Sequence, residues 1–435
     1  QAYKVLKVFS FIETSLYFPF ELCTKIKMAF LNIQATITKC NKISPVLPVL
    51  FRKNSAFLSA SFMKSSAMNI STKTTANDNN KEITKSVFIS QSRDIYTNLA
   101  LEDWLYKNFD FTNHHIMLLW RNNPCVVIGR HQNPWLEAYV ENLDKTGIEF
   151  ARRSSGGGTV YQDQGILNIT FFASSDRYNR KQNLEVISRT LEKEWNLHPE
   201  INKKEDIILD NDFKISGTSS KLGRPNSYHQ CSLLVDVDTQ QLCKSLKKDE
   251  QLSIMTTATK SVPTSSENLS DLNNSITVDE LIAAIGWTYL RTSAITQKDE
   301  GWSFVEKQRG FQMINPTDEW FPGLEKLRVD FTSWDWKFGK TPKFNIYKNY
   351  ELSGPTHGVM RIGMIVDKGV VAEVLLYLPD GVTWGGLTGT VPLVSTVAGQ
   401  KFAPALFGQI EEAIRLQPIK FAEKPAKRID IAARV

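Results

Sequence analysis

Residues 152–163, Arg152-Arg153-Ser154-Ser155-Gly156-Gly157-Gly158-Thr159-Val160-Tyr161-Gln162-Asp163, follow a short strand-like run at 148–151 and contain an alternating one at 159–161. Three successive glycines cost backbone entropy, so a folded chain keeps them where something must come close to the main chain. Bare amide N–H groups in such a loop can cradle an anion, and neighbouring guanidiniums can add charge-assisted, bidentate contacts. A glycine-rich hairpin turn with surface arginines is the plainer alternative. The Arg-Arg-Ser-Ser prefix favours the anion.

On either side of this loop the pattern is β-rich. Residues 98–109 carry Leu101, Trp104 and Leu105 at helical spacing. Two apolar runs, 116–120 and 125–128, flank the turn signal Arg121-Asn-Asn-Pro124 and read as neighbouring strands. Residues 167–172 read as pairing back across Asp163-Gln-Gly165, and 183–195 as a helix. A hairpin is expected around Asn211-Asp212, and a further strand at 232–237. Thr277-Val-Asp-Glu280 is a capping-box match. Residues 241–275 read as loop, and 358–378 as a hairpin turning at Asp367-Lys-Gly369, followed by a helix over 405–414. Strands interspersed with a few helices predict an α+β fold around a mixed or antiparallel sheet.

The net charge of +6 over 435 residues does not belong to the folded body. Residues 22–77 hold eight Lys/Arg and no acid, more than the whole surplus, and this argues against a nucleic-acid partner. A basic, acid-free, Ser/Thr-rich leader has the composition of a mitochondrial presequence. Its apolar runs are too short and too Pro-broken to span a bilayer. Residues 1–27 are candidates for untranslated sequence, with Met28 a plausible start. The expected organisation is a leader at 1–77, a linker at 78–86, a catalytic domain at 87–344 and a small α+β C-terminal domain at 345–435. Outside the leader, the odd set Cys125, Cys231 and Cys243 contains no C-x-x-C, which argues against a disulfide framework or a cysteine zinc site.

A second informative segment is Phe213-Lys214-Ile215-Ser216-Gly217-Thr218. Strand alternation sets Phe213 and Ile215 on one face and Lys214 on the other. Alone, Lys214 is an ordinary exposed strand lysine. Beside an anion loop it becomes a candidate ligand for a phosphate or a polarised carbonyl.

Together, 152–163, 213–217, the run Val126-Val-Ile-Gly-Arg-His-Gln-Asn-Pro-Trp135 and Phe338-Gly-Lys-Thr-Pro342 resemble the lipoate–protein ligase family. With its leader the chain is similar to the family's mitochondrial lipoyltransferases. The resemblance runs from about Val87 to Phe344 and more weakly beyond. It implies a catalytic domain of the lipoate–protein ligase/biotin ligase type, located in the mitochondrial matrix. It also implies lipoyl-AMP as donor and, as acceptors, lipoyl domains of 2-oxoacid dehydrogenase E2 subunits, with the glycine-cleavage H protein as a further candidate. A monomer is expected. Mg²⁺ and ATP or GTP would be required only if the chain also activates lipoate.

Carried onto this sequence, the resemblance makes Ser155, Gly156, Gly157, Gly158, Thr159, Val160 and Tyr161 line the adenylate. Arg153 would lie against the phosphate or the acyl carbonyl. Lys214 would sit between phosphate and carbonyl, stabilising both the oxyanion and the departing AMP. Lys204, Ser232, Val262 and Thr264 are implied as lesser contacts. Some positions depart from the family pattern. Gln162 stands where a histidine is common, which puts a proton-shuttling role there in doubt. Ile166 stands for an Asn, and Gln230 for the second histidine of a pair. His131, His229 and His357 read as structural, Asp163 as a turn cap, and no metal site is expected.

Three other activities are weighed. Biotin ligation would want an arginine-alternating Gly-Arg-Gly-Arg loop. A thioester route through Cys231 is disfavoured by its apolar strand context. A non-catalytic binder of lipoyl domains is disfavoured by the intact Arg153, Gly156–Gly158 and Lys214. Whether the chain transfers from the adenylate only, activates lipoate as well, or moves lipoyl groups between carriers stays open.

Overall fold

The computed structural model describes residues 83–421, apart from 210–212, 247–251, 263, 353–357 and 394. The leader, residues 78–82 of the linker, the Asn211-Asp212 turn and His357 lie outside the described residues. In chain order the elements are β1 (Thr84–Ser90), α1 (Ile95–Asn108), β2 (His114–Trp120), β3 (Cys125–Ile128), β4 (Glu149–Arg152), β5 (Val160–Gln162) and β6 (Ile166–Ser174). Next come α2 (Arg180–Trp195), β7 (Glu200–Ile201), β8 (Ile207–Leu209), β9 (Phe213–Lys214), β10 (Ser216–Lys221) and β11 (Asn226–Leu234). β12 (Ser253–Thr256), α3 (Val278–Arg291), β13 (Gly310–Ile314) and α4 (Leu324–Thr332) lead to β14 (Phe344–Leu352), β15 (Gly358–Asp367) and β16 (Val370–Tyr377). β17 (Val382–Trp384), β18 (Thr390–Pro392), α5 (Leu406–Arg415) and β19 (Ile419–Phe421) complete the chain.

Helix starts are set by side-chain caps. The Asp94 carboxylate accepts the Thr97 N–H at 2.9 Å to open α1, and Asn179 accepts from Gln182 to open α2. Thr277 and Glu280 form the expected capping box on α3. α2 ends on Asn196, in the left-handed conformation that closes many helices.

The main sheet has the order β10-β11-β6-β2-β1-β13. β10 to β2 pair antiparallel, while β2, β1 and β13 are parallel, so the sheet is mixed as expected. Alternation on β6 sorts its two faces. Leu167, Ile169 and Phe171 pack with Ile187 and Leu191 of α2 and Leu281 and Ile285 of α3. Each such aliphatic side chain contributes about 1.5–3 kcal/mol on burial. The other face turns Asn168 and Thr170 toward the glycine loop and α1.

That loop sits on a three-stranded sheet, β4-β3-β5. Its apolar residues Val126, Ile128, Phe150 and Tyr161 share one core with Phe344, Ile346, Met364, Val374, Phe407 and Ile410. This core crosses the boundary expected at 344/345, and residues 76–435 form one compact unit. The 358–378 hairpin is present as β15 and β16.

Several local expectations are corrected. β2 and β3 are not neighbours: β2 pairs with β1 and β6, and β3 with β4 and β5. Residues 121–124 carry the chain from one sheet to the other. β6 does not fold back on β5 either. Gly165 accepts from Val235 and Asp236 N–H, and a Cβ on it would come within 1.9 Å of the Asp236 oxygen, so this turn is pinned to the end of β11. Residues 241–275 are not all loop, since β12 pairs with β14. β1 starts at Thr84, inside the span expected as linker, because its parallel ladder with β2 runs that far. Phe213 is exposed while Ile215 is fully buried, since β9 spans only two residues and alternation does not carry through it.

Candidate functional site

The glycine loop joins β4 to β5 across the turn at Gly129. A Cβ on Gly129 would meet the Gly157 carbonyl oxygen at 2.2 Å, so two backbones touch there. Gly157 adopts φ +87°, a conformation open to glycine and strained for other residues. The two arginines point inward. Arg153 donates to the carbonyls of Gly156 (2.6 Å), Gly158 (2.7 Å) and Val127 (3.2 Å). Arg152 is fully buried and donates to the carbonyls of Lys337, Arg130 and Gln132 and to the Thr341 hydroxyl. Burial pulls the Arg153 guanidinium down to about 10, leaving it charged at neutral pH. In this arrangement the Arg153 guanidinium clamps the loop's own carbonyls and braces the loop through them. The Gly156 N–H is held by the Ser220 carbonyl and the Thr159 N–H by the Ser261 hydroxyl, leaving Gly157 and Gly158 as loop amides without a partner among the described residues.

Beneath the loop runs a buried polar chain. The Ser155 and Ser219 hydroxyls lie 3.0 Å apart, and Ser219 donates to the Gln230 amide oxygen at 2.7 Å. Gln230, Gln162 and Ser232 all donate to the Asn168 side-chain oxygen, at 2.9, 2.9 and 2.7 Å. Gln162 accepts in turn from Asn122, and Asn122 from Asn98. The two glutamines that depart from the family's histidines thus meet on one amide. Such networks hold a single geometry when every member is satisfied. Ser232 is buried inside this chain, its hydroxyl bonded to Asn168. Next to it, Glu102 accepts from Thr170 at 2.8 Å, and burial pushes its carboxyl up to about 7.

Lys214 extends from β9, with Nζ 2.9 Å from the Asp206 carboxylate and a side chain 24% exposed. Its backbone is stitched to a third segment: Lys214 N–H donates to Ser265, and Glu267 N–H to the Lys214 carbonyl. Four residues before Ser265 the same segment is anchored to the glycine loop by Ser261. Its hydroxyl takes the Thr159 N–H at 2.8 Å and the Gln132 amide at 3.0 Å, while Glu137 holds its backbone N–H. Val262 and Thr264 lie between these anchors, both exposed. The described residues of the 259–267 segment therefore link the glycine loop to the strand that carries Lys214.

The remaining expected residues divide. Val160 Cγ1 lies 3.8 Å from where a Cβ on Gly217 would stand. The Tyr161 side chain packs into the shared core. Lys204 is exposed at the edge, its carbonyl accepting from Arg180. Arg180 was missed in the sequence. It donates to Thr218 on β10 at 2.6 Å and pairs with Glu205 at 3.0 Å, adding a guanidinium near Lys214's strand. Its only sequence signal is the helix start beside Asn179. Asp163 caps its turn as expected, accepting from Gly165 and Asp238 N–H. Cys231 is buried, and burial pushes its thiol up to about 12. Among the described residues no group of three or more His, Cys, Asp or Glu could hold a metal ion. No helix among them is long and apolar enough to cross a membrane.

Comparison with known proteins identifies the family. The family model of the lipoyl protein ligase A/B catalytic domain matches residues 94–288. The mitochondrial lipoyl amidotransferase of Homo sapiens is 37% identical over 329 residues, 74% of this chain and 84% of that protein. Its Mus musculus counterpart is 38% identical over 318 residues, 72% and 81%. Among solved structures, P. falciparum LipL1 in complex with lipoate matches with a TM-score of 0.50 at 26% identity, covering 67% of this chain and 84% of that one.

Proposed function

We propose a function from one premise: this chain belongs to the lipoate–protein ligase family, alongside its lipoyl amidotransferases. It is an enzyme, a lipoyltransferase of protein lipoylation. In our reading its donor is lipoyl-AMP, and its acceptor is the ε-amine of a lysine on the lipoyl domains of 2-oxoacid dehydrogenase E2 subunits. The amine attacks the acyl carbonyl, a C–N bond forms, the acyl–phosphate bond breaks, and AMP leaves as the amine loses its proton. The anhydride is already activated, so no protein nucleophile is required.

The observation that carries this reading is that one segment, 259–267, bonds at Ser261 to the glycine loop and at Ser265 and Glu267 to the Lys214 backbone. The Gly157 and Gly158 amides are suited to the phosphate, and the Lys214 ammonium to the oxyanion and the leaving phosphate. In that role Lys214 exchanges its Asp206 contact for the donor. Thr159, Val160, Val262 and Thr264 would border the adenylate, and Lys204 and Arg180 would supply positive charge at its edge. Where lipoate activation also occurs, Mg²⁺ would arrive with the triphosphate whose charge it neutralises.

The test incubates the purified chain with an isolated lipoyl domain and weighs the product by intact-mass spectrometry. Lipoyl-AMP, and lipoate with ATP or GTP plus Mg²⁺, are supplied in parallel. A lipoyl mass gain with the adenylate alone marks a transferase, and gain with both marks a full ligase. No gain with either overturns the reading. The basic leader and the mitochondrial relatives support a matrix location. Deleting residues 1–77 should leave an active protein in the cytosol, and persistence in mitochondria would count against the presequence.

A further inference from the structure

A second cleft opens on the helix-covered face of the main sheet, on the side opposite the glycine loop. It encloses about 720 Å³ between β1, β2, β6, α2 and the end of α3. That volume falls within the range of small-molecule sites. Its floor holds two basic side chains without a carboxylate between them. Lys85 and His115 are direct partners in the β1–β2 register, so they rise side by side from the same face. Lys85 Nζ donates to the Tyr289 carbonyl and the Ser293 hydroxyl, each at 3.2 Å, which leaves one of its three protons for another acceptor. Among the described residues His115 Nε2 is buried with no hydrogen-bond partner.

The surrounding charge favours an anion. Arg177 and Arg189 line the cleft with Asp176 and Glu185, and Asp176 is exposed to solvent. Neither acid forms an ion pair with Lys85 or His115 among the described residues. Burial pulls Lys85 down to about 8 and His115 to about 4, the neighbouring lysine adding to the shift in the histidine. An uncompensated cation in such a place is costly, and a bound oxyanion would relieve it. Phe171 and Val186 add an apolar wall for the body of such a ligand.

We propose that this cleft is a binding site for a small organic anion, its phosphate or carboxylate seated between Lys85 Nζ and His115 Nε2. It is separate from the lipoyl-transfer site. The natural ligand carries one of these two groups on a compact apolar or aromatic body.

The experiment uses the full chain with histidines labelled at Cε1 with carbon-13, the His115 resonance being assigned by its loss in His115→Gln. Inorganic phosphate and benzoate are titrated separately while that resonance is followed. The expected result is a saturating shift with a midpoint in the millimolar range, unchanged in Lys214→Ala. In Lys85→Met the midpoint should weaken by roughly tenfold or more, the scale of one lost charge-assisted hydrogen bond. Response to phosphate alone assigns a phosphomonoester, and response to benzoate alone a carboxylate. Should Lys85→Met fail to fold, the exposed-rim variant Arg189→Gln replaces it and should weaken binding about threefold through lost long-range attraction. Absence of a saturating shift with either anion at tens of millimolar overturns the proposal. So does a shift abolished by Lys214→Ala and kept in Lys85→Met, which would trace the response to the transfer site.

Discussion

Replacing Lys214 by alanine separates a catalytic lysine from a merely structural one, because its two roles show in different measurements. In the folded protein the ammonium meets the Asp206 carboxylate at 2.9 Å, with the two side chains 24% and 11% exposed. Asp206 is buried, so removing its cation should destabilise the fold by about 1–3 kcal/mol. In a chain of this size each kcal/mol lowers the melting temperature by roughly 2–4 °C. In the transition state the same ammonium would oppose charge developing on the acyl oxygen and on departing AMP. Losing one such preorganised donor costs about 2.7–4 kcal/mol, or about 10²–10³ in rate. Lys214→Ala should therefore transfer at least about 10²-fold more slowly at saturating lipoyl-AMP, while remaining folded at the assay temperature. Single-turnover intact-mass spectrometry of a lipoyl domain reads the rate, and scanning fluorimetry reads the fold. Asp206→Asn, which keeps the ammonium, should lose less than about tenfold, since only positioning is disturbed. A Lys214→Ala protein that stays folded and transfers within about threefold of the parent would refute the assignment.

Gly157→Ala should cost about 1–2 kcal/mol of stability and weaken donor binding, because φ is +87° and the new Cβ would stand 2.9 Å from Arg153 Nη2 and 3.2 Å from the Thr218 oxygen. Gly156→Ala, where no atom lies within 4 Å of the new methyl, should change melting little and serves as its control. Glu102 holds its proton more tightly folded than unfolded, so its contribution to stability is present at low pH and is lost as pH rises from 4.5 to about 7. Glu102→Gln should flatten that part of the stability–pH curve, removing a slope worth on the order of 3 kcal/mol at most, measured by urea melts across the range. Cys231→Ser should transfer within about threefold of the parent, the thiol being buried and un-ionised at neutral pH. A loss of 10²-fold with normal folding would revive a thioester route.

What the sequence made legible was whatever depends on local spacing. The helix caps, the 358–378 hairpin and the turn at Asp163 all follow from patterns a few residues long, whereas pairing the glycine loop with Lys214 came from the family resemblance. Partner choice between strands was not legible, because β2 and β3 are both short, apolar and buried. Nothing in either run says which sheet will take it. Asn122 decides the matter from between them: it is fully buried, donates to Gln162 and so requires the chain to cross under the glycine loop. The direction of the arginines was illegible for a related reason. Composition reports that two guanidiniums flank three glycines, but direction depends on what lies behind the loop. A tight glycine run exposes carbonyls as well as amides, and those of Gly156 and Gly158 turn toward Arg153 at a partly buried place. A buried carbonyl needs a donor, and Arg153, fixed at the end of β4, reaches both. The amides of Gly157 and Gly158 then remain available for an anion. On this view Arg153 acts on the ligand through the loop it holds, and the glycines and the arginine form one device that neither could make alone.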